Sequence, residues 1–171
     1  MSTLHKQHGA ALIICLILLF AMSVLAVSSM EGVTLQQKMT SNLYDRSLGF
    51  QAAESALREA EALVTTSAGL TIPASGCTSG VCSKPDAALL ERWKDPAFNG
   101  WQAATVALGD LHAHAPQYIV EYMGLAPSWL GCEREVPMAP TCMSRRYRVT
   151  AISEAQGRAR VVVQSNVAMP Q

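Results

Sequence analysis

Residues Ala10 to Met30 read AALIICLILLFAMSVLAVSSM, without one charge, and the next residue is Glu31. At the helical rise this stretch spans roughly 30 Å, the hydrocarbon thickness of a bilayer. A membrane-spanning helix is predicted, because a core helix of a soluble domain rarely runs so long without a polar residue stronger than serine. Beyond Glu31 the pattern changes but stays helical, with no proline before Pro73. Leu35, Met39, Leu43, Phe50, Ala53, Leu57, Ala60 and Val64 recur at spacings of three, four or seven, one stripe of a helix that Arg46 interrupts. The opposite face carries Lys38, Asp45, Gln51, Glu54, Arg58, Glu59 and Glu61, read as solvated, with Glu54 and Arg58 in the supportive i, i+4 order. Anchor and amphipathic segment are therefore predicted as one long rod. It is softest at Ser28-Ser29 and Gly32, and its stripe packs on a sheet that follows.

The remainder is expected to form a small α+β head. Thr65 to Pro85 has loop composition, and Ala87 to Trp93 is predicted as a short helix capped by Asp86. Gln117–Met123, Arg145–Ser153 and Arg158–Val167 have strand character, and Glu154–Gly157 joins the last two as a hairpin loop. An antiparallel sheet of at least three strands over the helix would bury the stripe and leave one edge open near the C-terminus. The division is 1–9 as a polar leader, 10–31 as the transmembrane half of the helix, 32–66 as its amphipathic half and 67–171 as the head.

Charge settles topology. The leader MSTLHKQHG carries Lys6, His5 and His8, and the first charge beyond the anchor is Glu31, so the N-terminus is placed in the cytoplasm and the head outside it. A secretory signal would carry its small-residue cleavage site after the apolar stretch, whereas here the small residue, Gly9, precedes it. The net charge is zero and the only dense basic run, Arg145-Arg146-Tyr147-Arg148, reads as a solvated strand edge, so no nucleic-acid partner is expected.

Of five cysteines, Cys15 lies in the anchor and Cys77, Cys82, Cys132 and Cys142 lie in the head. An even number outside the cytoplasm points to disulfides. Local closure favours Cys77 with Cys82 and Cys132 with Cys142, although four cysteines allow three pairings and sequence does not choose among them. Zinc has little support without C-x-x-C spacing. His112 and His114 would share one face of a strand, but GDLHAHAPQ reads as a loop without attached ligands. Gly-x-Ser-x-Gly, a P-loop and H-E-x-x-H are all missing, so no catalytic set, metal or cofactor is expected. Trp93, Trp101 and Trp129 flank loops and are read as core anchors ahead of interface residues.

A leader ending in glycine, an uncharged helix directly after it and a continuous amphipathic second half resemble the class III signal and spine of type IV pilins and pseudopilins. More specifically, GAALIICLILLFAMSVLAV followed by TLQQKMTSNLYDRSLGFQAAESALREAE resembles the N-terminal region of PilX-type minor pilins, most specifically in FQAAESALREAE. The resemblance covers about residues 8 to 61. It implies a type IV pilin-like fold, cleavage by a prepilin peptidase between Gly9 and Ala10, and N-methylation of Ala10. Glycine suits the cleavage position because its backbone can approach an active site closely.

Two positions depart from major pilins. Ala10 stands where they begin with phenylalanine, and Ile14 stands where they carry a glutamate, the fifth mature residue. A carboxylate in hydrocarbon costs a few kcal/mol unless a cation compensates it, and in pilins that cation is thought to be the amine of a neighbouring subunit. A subunit with Ile14 cannot offer this contact as a repeated building block. The resemblance therefore implies a priming or tip subcomplex that promotes pilus assembly, with roles in twitching motility and surface attachment. Its implied partners are other minor pilins and the major pilin through the N-terminal helix, the prepilin peptidase, a tip adhesin and the inner membrane. The alternatives are a pseudopilin of a type II secretion system, disfavoured because the largest tip pseudopilins carry an inserted extra domain, and a bitopic envelope receptor or enzyme with a periplasmic domain. Only the pilin readings require cleavage after Gly9.

Overall fold

The computed structural model describes residues 10–66, 70–106, 108–109 and 114–170, except for the side chains of Ser29 and Glu31. The leader, including Gly9, and His112 lie outside the described residues. One helix, α1 (Ala10–Thr66), carries both halves of the predicted rod. The chain divides into two compact units, Met1–Leu43 and Tyr44–Gln171.

In the first unit every described side chain of the helix is exposed. Leu12, Ile17, Phe20, Leu25 and Met30 are 61–71% exposed, as a lipid-facing helix requires. Three of its hydroxyls bond to its own backbone: Ser23 donates to the Leu19 carbonyl at 2.7 Å, Thr34 to that of Met30 at 2.9 Å and Thr40 to that of Gln36 at 2.9 Å.

In the second unit a six-stranded sheet lies against the end of α1. Its main strands are β4 (Gln117–Pro127), β5 (Met143–Ser153) and β6 (Val161–Pro170), joined antiparallel in the order β4-β5-β6. Two-residue strands complete it. β1 (Cys77–Thr78) and β2 (Val81–Cys82) form a hairpin, β2 runs parallel to β4, and β3 (Gln102–Ala103) pairs antiparallel with the start of β4. The three strands expected from the pattern are present. β1 and β2 fall in the segment Thr65 to Pro85, whose Gly, Ser, Thr and Pro content reads as loop.

Alternation sorts the sheet residues onto two faces. Tyr118, Val120, Tyr147, Val149 and Ala151 are buried against Ala56, Leu57, Ala60 and Val64 of α1. Each large apolar side chain buried there contributes roughly 1.5–3 kcal/mol. Ala52, Ala53, Ala56 and Ala60 have no exposed surface, and a Cβ added to Gly49 would come within 3.0 Å of a Val161 methyl. Small residues therefore let the helix backbone lie close on the sheet.

Several expectations are corrected. The stripe is buried only in its second half: Leu35, Met39 and Leu43 are 63–69% exposed and Phe50 51% exposed, while Leu48, Gly49, Ala52 and Ala56 line the buried face instead. Spacing fixed the period but not the phase, because alanines and a glycine give a weak apolar signal although they allow the closest packing. No helix forms over Ala87–Trp93. Asp86 accepts the Ala88 N–H at 2.9 Å to make a turn, and only Arg92–Lys94 is helical, as a 3₁₀ turn. The hairpin loop runs from Glu154 to Arg160, longer than Glu154–Gly157. The basic run is not at a strand edge, since β5 lies between β4 and β6.

Candidate functional site

The anchor comes first in sequence. Ala10 is the first described residue of α1, and Ile14, one turn further on, is 58% exposed on an apolar surface. Cys15 is free and exposed. Among the described residues, α1 is the one helix long and apolar enough to cross a membrane.

In the head, three carboxylates expected in solvent tie α1 to other segments. Asp45 accepts the Ala159 N–H and pairs with Arg158, fixing the β5–β6 loop. Glu59 accepts the N–H groups of Thr105 at 2.9 Å and Val106 at 3.1 Å. Glu61 accepts the hydroxyl of Ser165 in β6. Burial, seconded by the charge of Glu59, raises the pKa of the Tyr118 phenol. Periodicity placed these acids off the buried stripe, and they are; sequence gave no sign that loop backbone would reach around to them.

The opposite face of the sheet holds a charge network that sequence reading missed. Glu121 in β4 has no exposed surface. It accepts from Arg92 at 2.8 Å and from Arg148 Nη2 and Nε at 2.8 and 2.9 Å. Arg92 also donates to the Ser83 carbonyl at 2.9 Å, and Arg148 also reaches Glu91 at 3.2 Å. Glu91 meets Lys94 at 2.6 Å; this hydrogen bond, with help from Arg148, holds the Glu91 carboxyl below the usual range against a smaller opposing effect of burial. Glu121 and Arg148 are opposite each other in the β4–β5 register, so alternation puts both on one face. A buried carboxylate is tolerable only when paired in this way. The network fastens the 3₁₀ turn to the sheet.

The structure pairs Cys77 with Cys82 and Cys132 with Cys142. The first bridge links register partners of the β1–β2 hairpin, whose turn residues Ser79 and Gly80 both have positive φ. A Cβ on Gly80 would lie 2.5 Å from the Cβ of Gln102, so the turn admits no side chain there. The second bridge closes the loop after β4. Ser128 seals its base by donating its N–H to the Cys142 carbonyl at 2.6 Å. Leu130 and Val136 stand fully exposed on this loop, and Trp129 is 42% exposed, so it is no core anchor. Cys132, Glu133 and Cys142 lie close enough together for a metal, but the two cysteines are joined to each other and offer no thiolate. His114 lines a shallow cleft with Asp45, Glu154 and Arg158.

An apolar anchor that continues into the packing helix of a small, disulfide-bonded sheet domain is a pilin-like α+β architecture. Residues 8–58 match the family model described as PilX N-terminal, and residues 51–169 match that of the type IV pilus assembly protein PilX C-term. The chain belongs to the PilX family of type IV pilus assembly proteins. The two matches meet at 51–58, within the buried stretch of α1, and the second takes in the sheet, the Glu121 network and both disulfides. Comparison with curated proteins and with solved structures gave no match. A role in pilus assembly implies contact with other pilus components.

Proposed function

We propose that this PilX-family protein is a minor pilin of a priming or tip subcomplex that promotes pilus assembly, and through it twitching motility and surface attachment. The observation that carries the reading is Ile14 in an otherwise uncharged anchor. Without a carboxylate there, the subunit cannot compensate the amine of a neighbour as a repeated building block would, and it suits a place where no such contact is needed. Prepilin peptidase cuts between Gly9 and Ala10, and Ala10 is methylated. Before assembly the anchor sits in the inner membrane, N-terminus cytoplasmic and head periplasmic, a compartment that supports both disulfides. Other minor pilins and the major pilin contact the N-terminal helix, whose Leu35, Met39, Leu43 and Phe50 are left exposed for them, and a tip adhesin is a further partner.

Intact mass and N-terminal sequencing of the protein from membranes and from sheared fibres test this. A methylated chain starting at Ala10, plentiful in membranes and scarce in fibres, supports it; an intact leader confined to membranes sinks it. Ile14→Glu should let the protein enter the shaft in larger amounts, and an unchanged distribution would remove the electrostatic argument.

A further inference from the structure

The geometry points to β6 as a docking edge for one extended strand of a different polypeptide, added alongside Val161–Met169. This rests on the membrane-anchored pilus reading above.

β6 ends the sheet, and among the described residues no strand pairs with its far side. It is ten residues long, VVVQSNVAMP, with no charge, and its only proline is the last residue. Its register with β5 runs unbroken from Val161 to Pro170, without the shift that interrupts β4–β5 near Gly124. Exposed edges are ordinarily blunted by charge, proline, bulges or shortness. The opposite edge consists of β1 and β3, two residues each, and the end of β4, which carries the register shift near Gly124 and Pro127, whereas β6 uses none of these devices along its length. About half of its backbone N–H and C=O groups point away from β5.

The side chains define the occupant. On the helix side, Val163, Val167 and Met169 are only partly buried at the rim of the core; on the other side, Gln164, Asn166 and Ala168 are exposed. A strand alternating apolar and uncharged polar residues would complete the rim on one face and meet neutral groups on the other.

A second copy of β6 fits this chemistry. An antiparallel pair centred on Ser165 would set Val163 opposite Val167 and Gln164 opposite Asn166. Direction rules it out. Asp45 meets Ala159 and Gly49 meets Val161, whereas Glu61 meets Ser165, so the anchor-bearing chain enters the head at the start of β6. A two-fold pair would bring its two chains in from opposite ends of the joined sheet, but subunits anchored in one membrane enter from the same end. Among the described residues, a copy in the same orientation would offer only the short β1 and β3 edges and the end of β4, which is broken by the register shift near Gly124 and stopped by Pro127. The strand therefore comes from another kind of chain.

The test places a photo-reactive amino acid at Gln164, Asn166 or Ala168 of the full-length protein in cells assembling pili. Expected are adducts with one other polypeptide, the linked residues advancing by two along a single extended segment for each two-residue step along β6. Adding Asn166→Lys and Ala168→Lys should lower the Gln164 adduct at least tenfold without moving the melting temperature. Adducts with a second copy of this chain, adducts with pilin helices, or none at any position would overturn the inference. The N-terminal mass of the same samples reports separately on the pilus reading, and the cross-link pattern decides the edge whether or not the leader has been removed.

Discussion

Glu121→Gln keeps the shape of a fully buried side chain and removes its charge, leaving Arg92 and Arg148 facing a neutral amide that can accept from one of them. Breaking a buried ion pair from one side costs about 3–5 kcal/mol. The lower end applies, because the two arginine side chains keep 17% and 14% exposure and each retains another acceptor, the Ser83 carbonyl and Glu91. A loss of about 3 kcal/mol from a head of this size lowers the melting temperature by roughly 10 °C. Thermal and urea unfolding of the full chain in detergent, followed by near-ultraviolet circular dichroism, would read it. A loss below about 1 kcal/mol would refute the view that Glu121 holds the two arginines in place. The companion triple variant, Glu121→Leu with Arg92→Met and Arg148→Met, separates pairing from packing. It should fold within about 1 kcal/mol of the natural protein or be more stable, because nothing charged is left stranded.

Ala56→Leu, at a position with no exposed surface against the sheet, should overpack the helix contact and cost about 1–3 kcal/mol in the same unfolding assay. Cys132→Ser with Cys142→Ser releases a ten-residue closure and should cost about 2–3 kcal/mol, with faster hydrogen exchange confined to residues 128–142. The raised pKa of Tyr118 means that its stabilising effect is complete below the ordinary phenol pKa, about 10, and is lost as pH rises through the folded value. Tyr118→Phe should therefore gain stability relative to the natural protein only at strongly alkaline pH, and an unchanged difference from pH 8 to 11 would count against the burial argument. Glu91 has the opposite sign: its lowered pKa gives stability that is present above the ordinary carboxyl pKa and lost as pH falls through the folded value, so Glu91→Gln should flatten the acid side of the stability curve.

Local features were legible in proportion to how little they needed a partner. The anchor, the helical period after it, the three long strands and the nearby cysteine partners depend on composition and short separations, and each is in the structure. The errors cluster where a distant segment decides. Asp45 and Glu61 meet partners more than 100 positions away, at separations of 114 and 104, and Glu59 one 46 away. Arg148 looked solvated because nothing near it in sequence shows that β5 is an interior strand, or that Glu121 stands opposite it.

By itself the sequence determined that the chain carries a long apolar N-terminal helix compatible with a membrane anchor, where that helix and the three long strands lie, and, through Ile14, how the apolar segment differs from that of a major pilin. A bilayer is a uniform solvent, so twenty uncharged residues meet its demand wherever they occur. Tertiary structure alone decided which face of α1 is buried, that the Glu121 carboxylate sits inside the head between two arginines, and that β6 has, among the described residues, no strand on its far side. Each of these depends on what another segment presents at a contact of a few ångströms, and hydropathy along the chain carries no record of that.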